Sequence, residues 1–152
     1  MRKFSIIFIS LLFFLYGLIR VGVGLSLLGQ ELGVIDFEAF QDPVKEVAEF
    51  LNKDAHTPLI HVSPAGYLSF ILLMGISLVI GAIGSLRNKM YGTKSLAGFL
   101  VLYGSLFINF QTINPKIIHL IVSFLLFLAL LWLKKGQIKK KGLININDSN
   151  MG

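Results

Sequence analysis

One arginine lies inside an otherwise apolar stretch of the sequence, LYGLIRVGVGL, which runs from Leu15 to Leu25. The guanidinium group carries five N–H donors in a fixed planar arrangement that suits the oxygens of carboxylates and phosphates. Arg20 is therefore a candidate for binding an anionic lipid headgroup or metabolite. The alternative interpretation is a buried polar lock, in which Arg20 holds neighbouring helices together through their own polar groups.

The acceptors available to Arg20 must be neutral. No Asp or Glu lies in residues 4–29, 64–86, 91–111 or 115–133, the four long apolar segments of the chain. The polar side chains at a compatible depth are Tyr103, Ser105, Asn109, His119 and Ser123. We predict a candidate polar cluster formed by Arg20, Asn109, Gln111 and His119. A proton relay through His119 is disfavoured, because a relay needs a chain of carboxylates or histidines.

Other chemistries have little support in the sequence. The chain has no cysteine, which excludes disulfides and thiolate chemistry. His56 and His61 do not have the spacing of a usual zinc-ligand pair. No phosphate-binding loop, nucleophile elbow or HExxH pattern occurs. We therefore predict no catalytic residue, no metal site and no cofactor, and the sequence favours a protein that is not an enzyme.

The four apolar segments are the elements that must position these residues. Only 14% of the chain is charged and 55% is hydrophobic, whereas a soluble domain carries about 25% charged residues. Each segment is long enough to cross a bilayer core of about 30 Å, and each must then be helical to satisfy its backbone. We predict an all-α protein whose single domain, residues 1–133, is a bundle of four transmembrane helices. Ser63–Pro64 and Asn114–Pro115 are good starts for the second and fourth helices.

The charges of the chain predict its orientation. If the segments alternate in direction, ten of the fourteen cations fall on one side, together with a single acid, Asp148. The loop between the first two segments carries seven acids against Lys45 and Lys53. The positive-inside rule then places both termini in the cytoplasm, in a bacterial inner membrane. The tail, residues 134–152, is basic and then polar. Because its lysines directly follow a membrane helix, we expect the lipid bilayer rather than nucleic acid to be the partner.

A short amphipathic helix is predicted in the first outer loop, over residues 42–54. Asp42 and Pro43 form a helix start. The apolar residues Val44, Val47, Ala48 and Leu51 follow at i, i+3, i+4 and i+7. The charged residues Glu46, Glu49 and Lys53 take the other face. Two interpretations remain open: the helix lies on the outer mouth of the bundle, or it docks a protein partner.

Small residues predict where helices approach closely. Gly22 and Ser26 in the first segment, and Ser77, Gly81 and Ser85 in the second, recur at four-residue spacing. Such residues allow close packing in lipid. We predict that the first two transmembrane helices form a tight pair, within one chain or between the copies of a homo-oligomer.

The stretch RVGVGLSLLG, with Arg20, Gly24 and Gly29, resembles the first-helix motif of the DoxX-like four-helix membrane proteins. The resemblance covers about ten residues and implies the same four-span architecture. The acidic residue that this family tends to carry in its second helix is missing here, so no functional residue is carried over.

Three functions are compatible with these patterns. The first is a non-catalytic accessory or assembly subunit of a membrane complex, which the small size and the amphipathic outer helix favour. The second is a small oligomeric transporter or channel that uses Arg20 to attract an anionic ligand. The third is a membrane enzyme acting on a lipid or quinone with Arg20 and His119 in its site, and the lack of carboxylates in the spans counts against it.

Overall fold

Five α-helices make up the described part of the chain in a computed structural model that covers residues 2–52, 58–111 and 117–149, with side chains up to Lys135. The helices are α1 (Arg2–Glu31), α2 (Glu38–Asn52), α3 (Pro64–Leu86), α4 (Met90–Phe110) and α5 (Ile117–Ser149). Four of them, α1, α3, α4 and the Ile117–Lys135 part of α5, are long and apolar enough to cross a membrane. The prediction of an all-helical protein with four such helices is confirmed.

Local sequence signals determine where α3 begins and ends. Ser63 is the N-cap, and its Oγ accepts a hydrogen bond from the Gly66 N–H at 3.2 Å, with Pro64 at the first helical position. The helix gives way to a tight turn in which Asn88 has a positive φ of 53°. The second predicted start, at Asn114–Pro115, lies outside the described residues.

The amphipathic helix α2 begins at Glu38, four residues before the predicted Asp42, and Pro43 lies inside it. A side-chain network explains the earlier start. The Gln30 side chain accepts the Phe37 N–H at 2.8 Å, and Asp36 accepts the side-chain amides of Gln30 and Gln41, each at 3.2 Å. These bonds fold the chain back immediately before Glu38, so the helix starts there.

The long helices approach one another closely at glycines. α1 and α3 run antiparallel, because Gly17 lies against Leu78 whereas Gly24 lies against Leu72. A Cβ added at Gly75 would lie 2.8 Å from the Val21 backbone nitrogen. Between α3 and α4 the approach is closer still, since a Cβ at Gly84 would lie 2.5 Å from the Gly92 Cα. These backbone contacts fix α1 and α4 against α3.

The predicted small residues divide between two faces. Gly22 is exposed and has open space around it, because it lies about 140° around α1 from Gly17 and about 160° from Gly24. Within one chain it therefore makes no close contact with α3, and a contact of Gly22 between copies stays a prediction. Ser26 is half-buried. On α3, the Ser77 carbonyl accepts the Ser95 hydroxyl at 2.7 Å and a Cβ at Gly81 would meet Leu96, so both face α4. Ser85 is fully buried.

All four long helices contribute to one apolar core. Its buried residues are Ile6, Ile9, Phe13, Met74, Leu78, Ala82, Leu96, Phe99, Tyr103, Phe127, Leu130 and Leu133. Large apolar side chains also cover the outside, for example Val101 and Trp132, which are 71% and 68% exposed. Such a surface is typical of helices that face lipid, and it is far more apolar than the surface of a soluble monomer.

Candidate functional site

Arg20 lies on α1 and reaches across to α3. Its Nη2 donates a hydrogen bond to the hydroxyl of Tyr16, one turn earlier on the same helix, at 2.7 Å. Its Nη1 lies 3.7 Å from the sulfur of Met74 on α3. Tyr16 and Arg20 stand four residues apart, which places them on one face of α1.

Three aromatic rings surround the guanidinium. The Cζ atom of Arg20 lies 4.4 Å from the ring centre of Tyr103, 4.8 Å from that of Tyr16 and 5.6 Å from that of Phe99. The rings also contact one another: Tyr16 meets Phe99 edge-on at 6.5 Å, and Phe99 lies 5.6 Å from Tyr103. We call Tyr16, Met74, Phe99 and Tyr103 the Arg20 cage. It joins α1, α3 and α4 at one point.

The cage compensates a positive charge without a carboxylate. α1 has no acidic residue before Glu31, which is eleven residues or about 16 Å further along the helix. α3, α4 and the spanning part of α5 contain none. Among the contacts of the described residues, the negative faces of the aromatic rings and the hydroxyl dipole of Tyr16 stabilise the charge. Each cation–π contact contributes from about 0.5–1 kcal/mol at an exposed site to about 2 kcal/mol when desolvated.

His119 joins this site through Tyr16. Its ring stacks on the Tyr16 ring at 6.4 Å with an interplanar angle of 24°, and its side chain is exposed at the edge of α5. Arg20 and His119 therefore contact the same tyrosine. Of the predicted cluster, the structure brings these two residues together.

Asn109 has a different role. Its side-chain oxygen accepts the Ile60 N–H at 2.8 Å, and its side-chain nitrogen donates to the Ile60 carbonyl at 3.1 Å. The backbone carbonyl of Asn109 also accepts the Leu59 N–H at 3.0 Å. Asn109 therefore fastens the segment before α3 to the end of α4, rather than serving as an acceptor for Arg20.

Gln111 ends α4. It is exposed, and it adopts a left-handed conformation with φ of 48° as the C-cap residue. Of the other predicted acceptors, Ser105 donates its hydroxyl to the Leu102 carbonyl at 2.7 Å and Ser123 is buried. His61 is exposed, whereas His56 lies outside the described residues. Among the described residues, no group of three His, Asp or Glu side chains is arranged to hold a metal ion.

Sequence reasoning named Tyr103 but missed Tyr16, Met74 and Phe99. Two signals were available: Tyr16 precedes Arg20 by four residues, and Phe99 precedes Tyr103 by four. Each pair shares a helix face. No comparable pattern pointed to Met74, because its place beside Arg20 depends on how α3 packs against α1.

The chain matches no protein-family model, no curated protein and no solved structure. The chemistry of the cage therefore has to be taken from its geometry. A permanently charged guanidinium cannot act as a general base, and this one directs its charge at three rings and a hydroxyl of its own chain. The contacts of this guanidinium therefore link α1, α3 and α4.

Proposed function

We propose that the protein is an integral subunit of the bacterial inner membrane, with both termini in the cytoplasm, and that it serves as a non-catalytic accessory or assembly component of a larger membrane complex. One observation carries the proposal: α2 is fixed to the other helices by one face and presents a row of carboxylates on the opposite face.

The apolar face of α2 is held by aromatic contacts. The ring of Phe50 lies 5.3 Å from that of Phe110 on α4 and 6.4 Å from that of Tyr67 on α3. Val44, Val47, Ala48 and Leu51 are half-buried on this side. A helix of 15 residues is marginal alone in water, so these contacts determine both its stability and its orientation.

The opposite face of α2 is exposed and acidic. Glu38, Asp42, Glu46 and Glu49 stand at i, i+4, i+8 and i+11, and all four side chains are exposed. Lys45 is the one cation among them. A fixed row of like charges steers a partner of opposite charge and selects its orientation. A basic loop or helix of a membrane or periplasmic protein has the chemistry that complements this row.

The proposed orientation rests on the charges at the two ends of the helices. The carboxylates of α2 lie at the end where α3 begins and α4 ends, because Phe50 of α2 contacts Tyr67 in the first turns of α3 and Phe110, the last residue of α4. Arg87 and Lys89 lie at the other end, in the turn between α3 and α4. This separation of acidic and basic ends supports a cytoplasmic location for the termini under the positive-inside rule.

Affinity purification of the full chain from native membranes in a mild detergent tests the proposal. We expect one protein to co-purify at a fixed stoichiometry, and we expect Glu46→Lys combined with Glu49→Lys to abolish that association. Lys3→Glu combined with Lys89→Glu is the matched control, since it reverses two exposed charges away from α2. Purification of the wild type without any stoichiometric partner contradicts the proposal, and so does a partner that the Glu46/Glu49 variant retains.

A second candidate is an anion transporter or channel, which is favoured because no carboxylate of the described residues forms an ion pair with Arg20. Anion flux in liposomes distinguishes it from an accessory subunit. A transporter of this kind loses flux on Arg20→Gln, whereas an accessory subunit shows no flux before or after the substitution.

A further inference from the structure

An open groove runs between α4 and α5 on the outer surface. It has a volume of about 410 Å³ and is lined by Leu100, Val101, Leu120, Ile121 and Phe124. We call it the α4–α5 groove. Its volume lies within the range of about 300–1,000 Å³ that is typical of small-molecule sites, and all five side chains are apolar. An occupant must therefore be apolar where it contacts the groove.

Both walls of the groove lead to a lysine at the same end of the helices. On α4, Lys94, Gly98 and Val101 stand at i, i+4 and i+7 and form one stripe. On α5, the stripe through Ile121 and Phe124 continues at helical spacing through Leu128 and Leu131 to Lys135. Lys94 and Lys135 are both exposed. The apolar groove therefore opens towards a cationic end.

On α4, the surface between the α4–α5 groove and Lys94 is not covered by other atoms at Gly98. A Cβ added at Gly98 would meet no atom within 4 Å, so this residue leaves the path from Val101 to Lys94 unobstructed. Val101 lies seven residues or about 10 Å from Lys94, and Phe124 lies eleven residues or about 16 Å from Lys135. The second length matches the depth of one leaflet, half of a core of about 30 Å, and the first is about 5 Å shorter.

The depths of the two lysine side chains become more similar because side chains on a helix lean towards its N-terminus. α4 begins at the cationic end, so Lys94 leans towards that end of the molecule. α5 runs towards the cationic end, so Lys135 leans back towards the groove. Their flexible stems bring two ammonium groups to one level.

We propose that the α4–α5 groove holds an acyl chain of an anionic phospholipid and that Lys94 and Lys135 bind the phosphate of its headgroup. Charge complementarity selects an anionic lipid over a zwitterionic one, and the apolar lining selects a lipid over a soluble anion. The proposal concerns a face remote from α2, and it is independent of the partner proposed for that helix.

Native mass spectrometry of the full chain in detergent tests the site. The probes are a phosphatidylglycerol and a phosphatidylcholine with identical acyl chains, together with glycerol phosphate as a soluble anion. We expect wild-type protein to retain phosphatidylglycerol in preference to phosphatidylcholine and to retain no glycerol phosphate. Replacing Lys94 and Lys135 by Gln should reduce that preference by about fivefold for each lysine.

Two matched controls separate the site from general effects. Lys3→Gln combined with Lys89→Gln removes the same charge from the same end and should leave the preference unchanged. Gly98→Trp obstructs the groove and should weaken the retention of both lipids, whereas Gly22→Trp, at an equally open position on α1, should not.

Three outcomes overturn the proposal. The first is an equal loss in the Lys94/Lys135 and Lys3/Lys89 variants, which indicates unspecific attraction. The second is unchanged lipid retention in Gly98→Trp, which shows that no acyl chain occupies the groove. The third is binding of glycerol phosphate as tight as that of the lipid, which assigns the lysines to a soluble anion.

Discussion

Substitution of Arg20 by Met and by Lys distinguishes a structural cage from a site that needs a charge. Met is apolar and of similar length, so it removes the charge and leaves most of the volume. Lys keeps the charge and loses the planar group that faces three rings. If the cage acts as a lock, Arg20→Lys should be the more harmful change.

The magnitude follows from the contacts. Three cation–π contacts at about 1 kcal/mol each and one hydrogen bond from a charged donor at about 1.5–3 kcal/mol together exceed the cost of about 2.5–3.5 kcal/mol for an arginine in a membrane helix. Arg20→Met removes both the stabilising contacts and the cost of placing a charge in a membrane helix, so we expect a net destabilisation of about 1–3 kcal/mol. Arg20→Lys retains the cost of placing a charge in a membrane helix but loses most of the stabilising contacts, so we expect this variant to be less stable than Arg20→Met.

Reversible unfolding by a denaturing detergent in mixed micelles, followed by far-ultraviolet circular dichroism, measures the three stabilities. Trp132, the one tryptophan of the chain, provides a second probe at the opposite end of the helices, where Arg2 lies over its ring at 5.4 Å. Tyr16→Phe is the control, since it removes only the hydroxyl and should cost about 1–2 kcal/mol. Wild-type stability in Arg20→Lys, combined with a loss in Arg20→Met, would refute a lock that depends on the planar guanidinium and show that a positive charge alone is sufficient.

The other predictions concern contacts on the remaining helices. Gly84→Ala should lower the free energy of unfolding by more than about 3 kcal/mol, because its Cβ would overlap the α4 backbone. Gly22→Ala is the control in open space, and the same unfolding measurement should show it to be neutral or slightly stabilising. Asn109→Ala should cost about 1–3 kcal/mol, since it leaves the Ile60 N–H and carbonyl without their side-chain partner, and amide exchange at Ile60 should accelerate; unchanged exchange there would contradict the assignment. Phe50→Ala should release α2, so limited proteolysis should cut within residues 38–52 while the long helices stay intact; resistance equal to that of the wild type would show that Phe50 does not hold α2.

Several ends of the helices were predictable, because local signals specify them, but the end of α5 was not: the helix runs to Ser149, sixteen residues beyond its predicted end at residue 133. α3 was predicted over residues 64–86 and occupies Pro64–Leu86, since Ser63 and Pro64 begin it and Arg87 interrupts the apolar run. α1 and α4 depart from their predicted bounds by at most two residues. α2 departs further because side chains outside the helix, Gln30 and Asp36, set its start, and their bonds depend on the path of the loop.

The contacting faces were not predictable. A helix such as α1 is apolar on nearly every side, so its periodicity does not show which face meets α3. Gly22 and Gly24 are equivalent in sequence, yet only Gly24 lies against α3. Asn109 was predicted as an acceptor for Arg20 because it lies at a similar depth. The loop before α3 instead places the backbone of Ile60 beside Asn109, and the two form hydrogen bonds. Both outcomes depend on the packing of distant segments.

The contacts divide the four long helices into a tight group and an attached helix. α1, α3 and α4 meet through backbone contacts at glycines and share the Arg20 cage. α5 has no glycine between Ile117 and Lys135, and it joins the others through side chains: Phe127, Leu130 and Leu133 in the core, and His119 stacked on Tyr16. Contacts between side chains are broken more easily than the close backbone contacts at glycines. We therefore expect α5 to separate first when the protein begins to unfold. The α4–α5 groove lies along that weaker contact, and a lipid chain seated in it would bridge both helices. Removal of such a lipid should therefore destabilise α5 before it affects the cage.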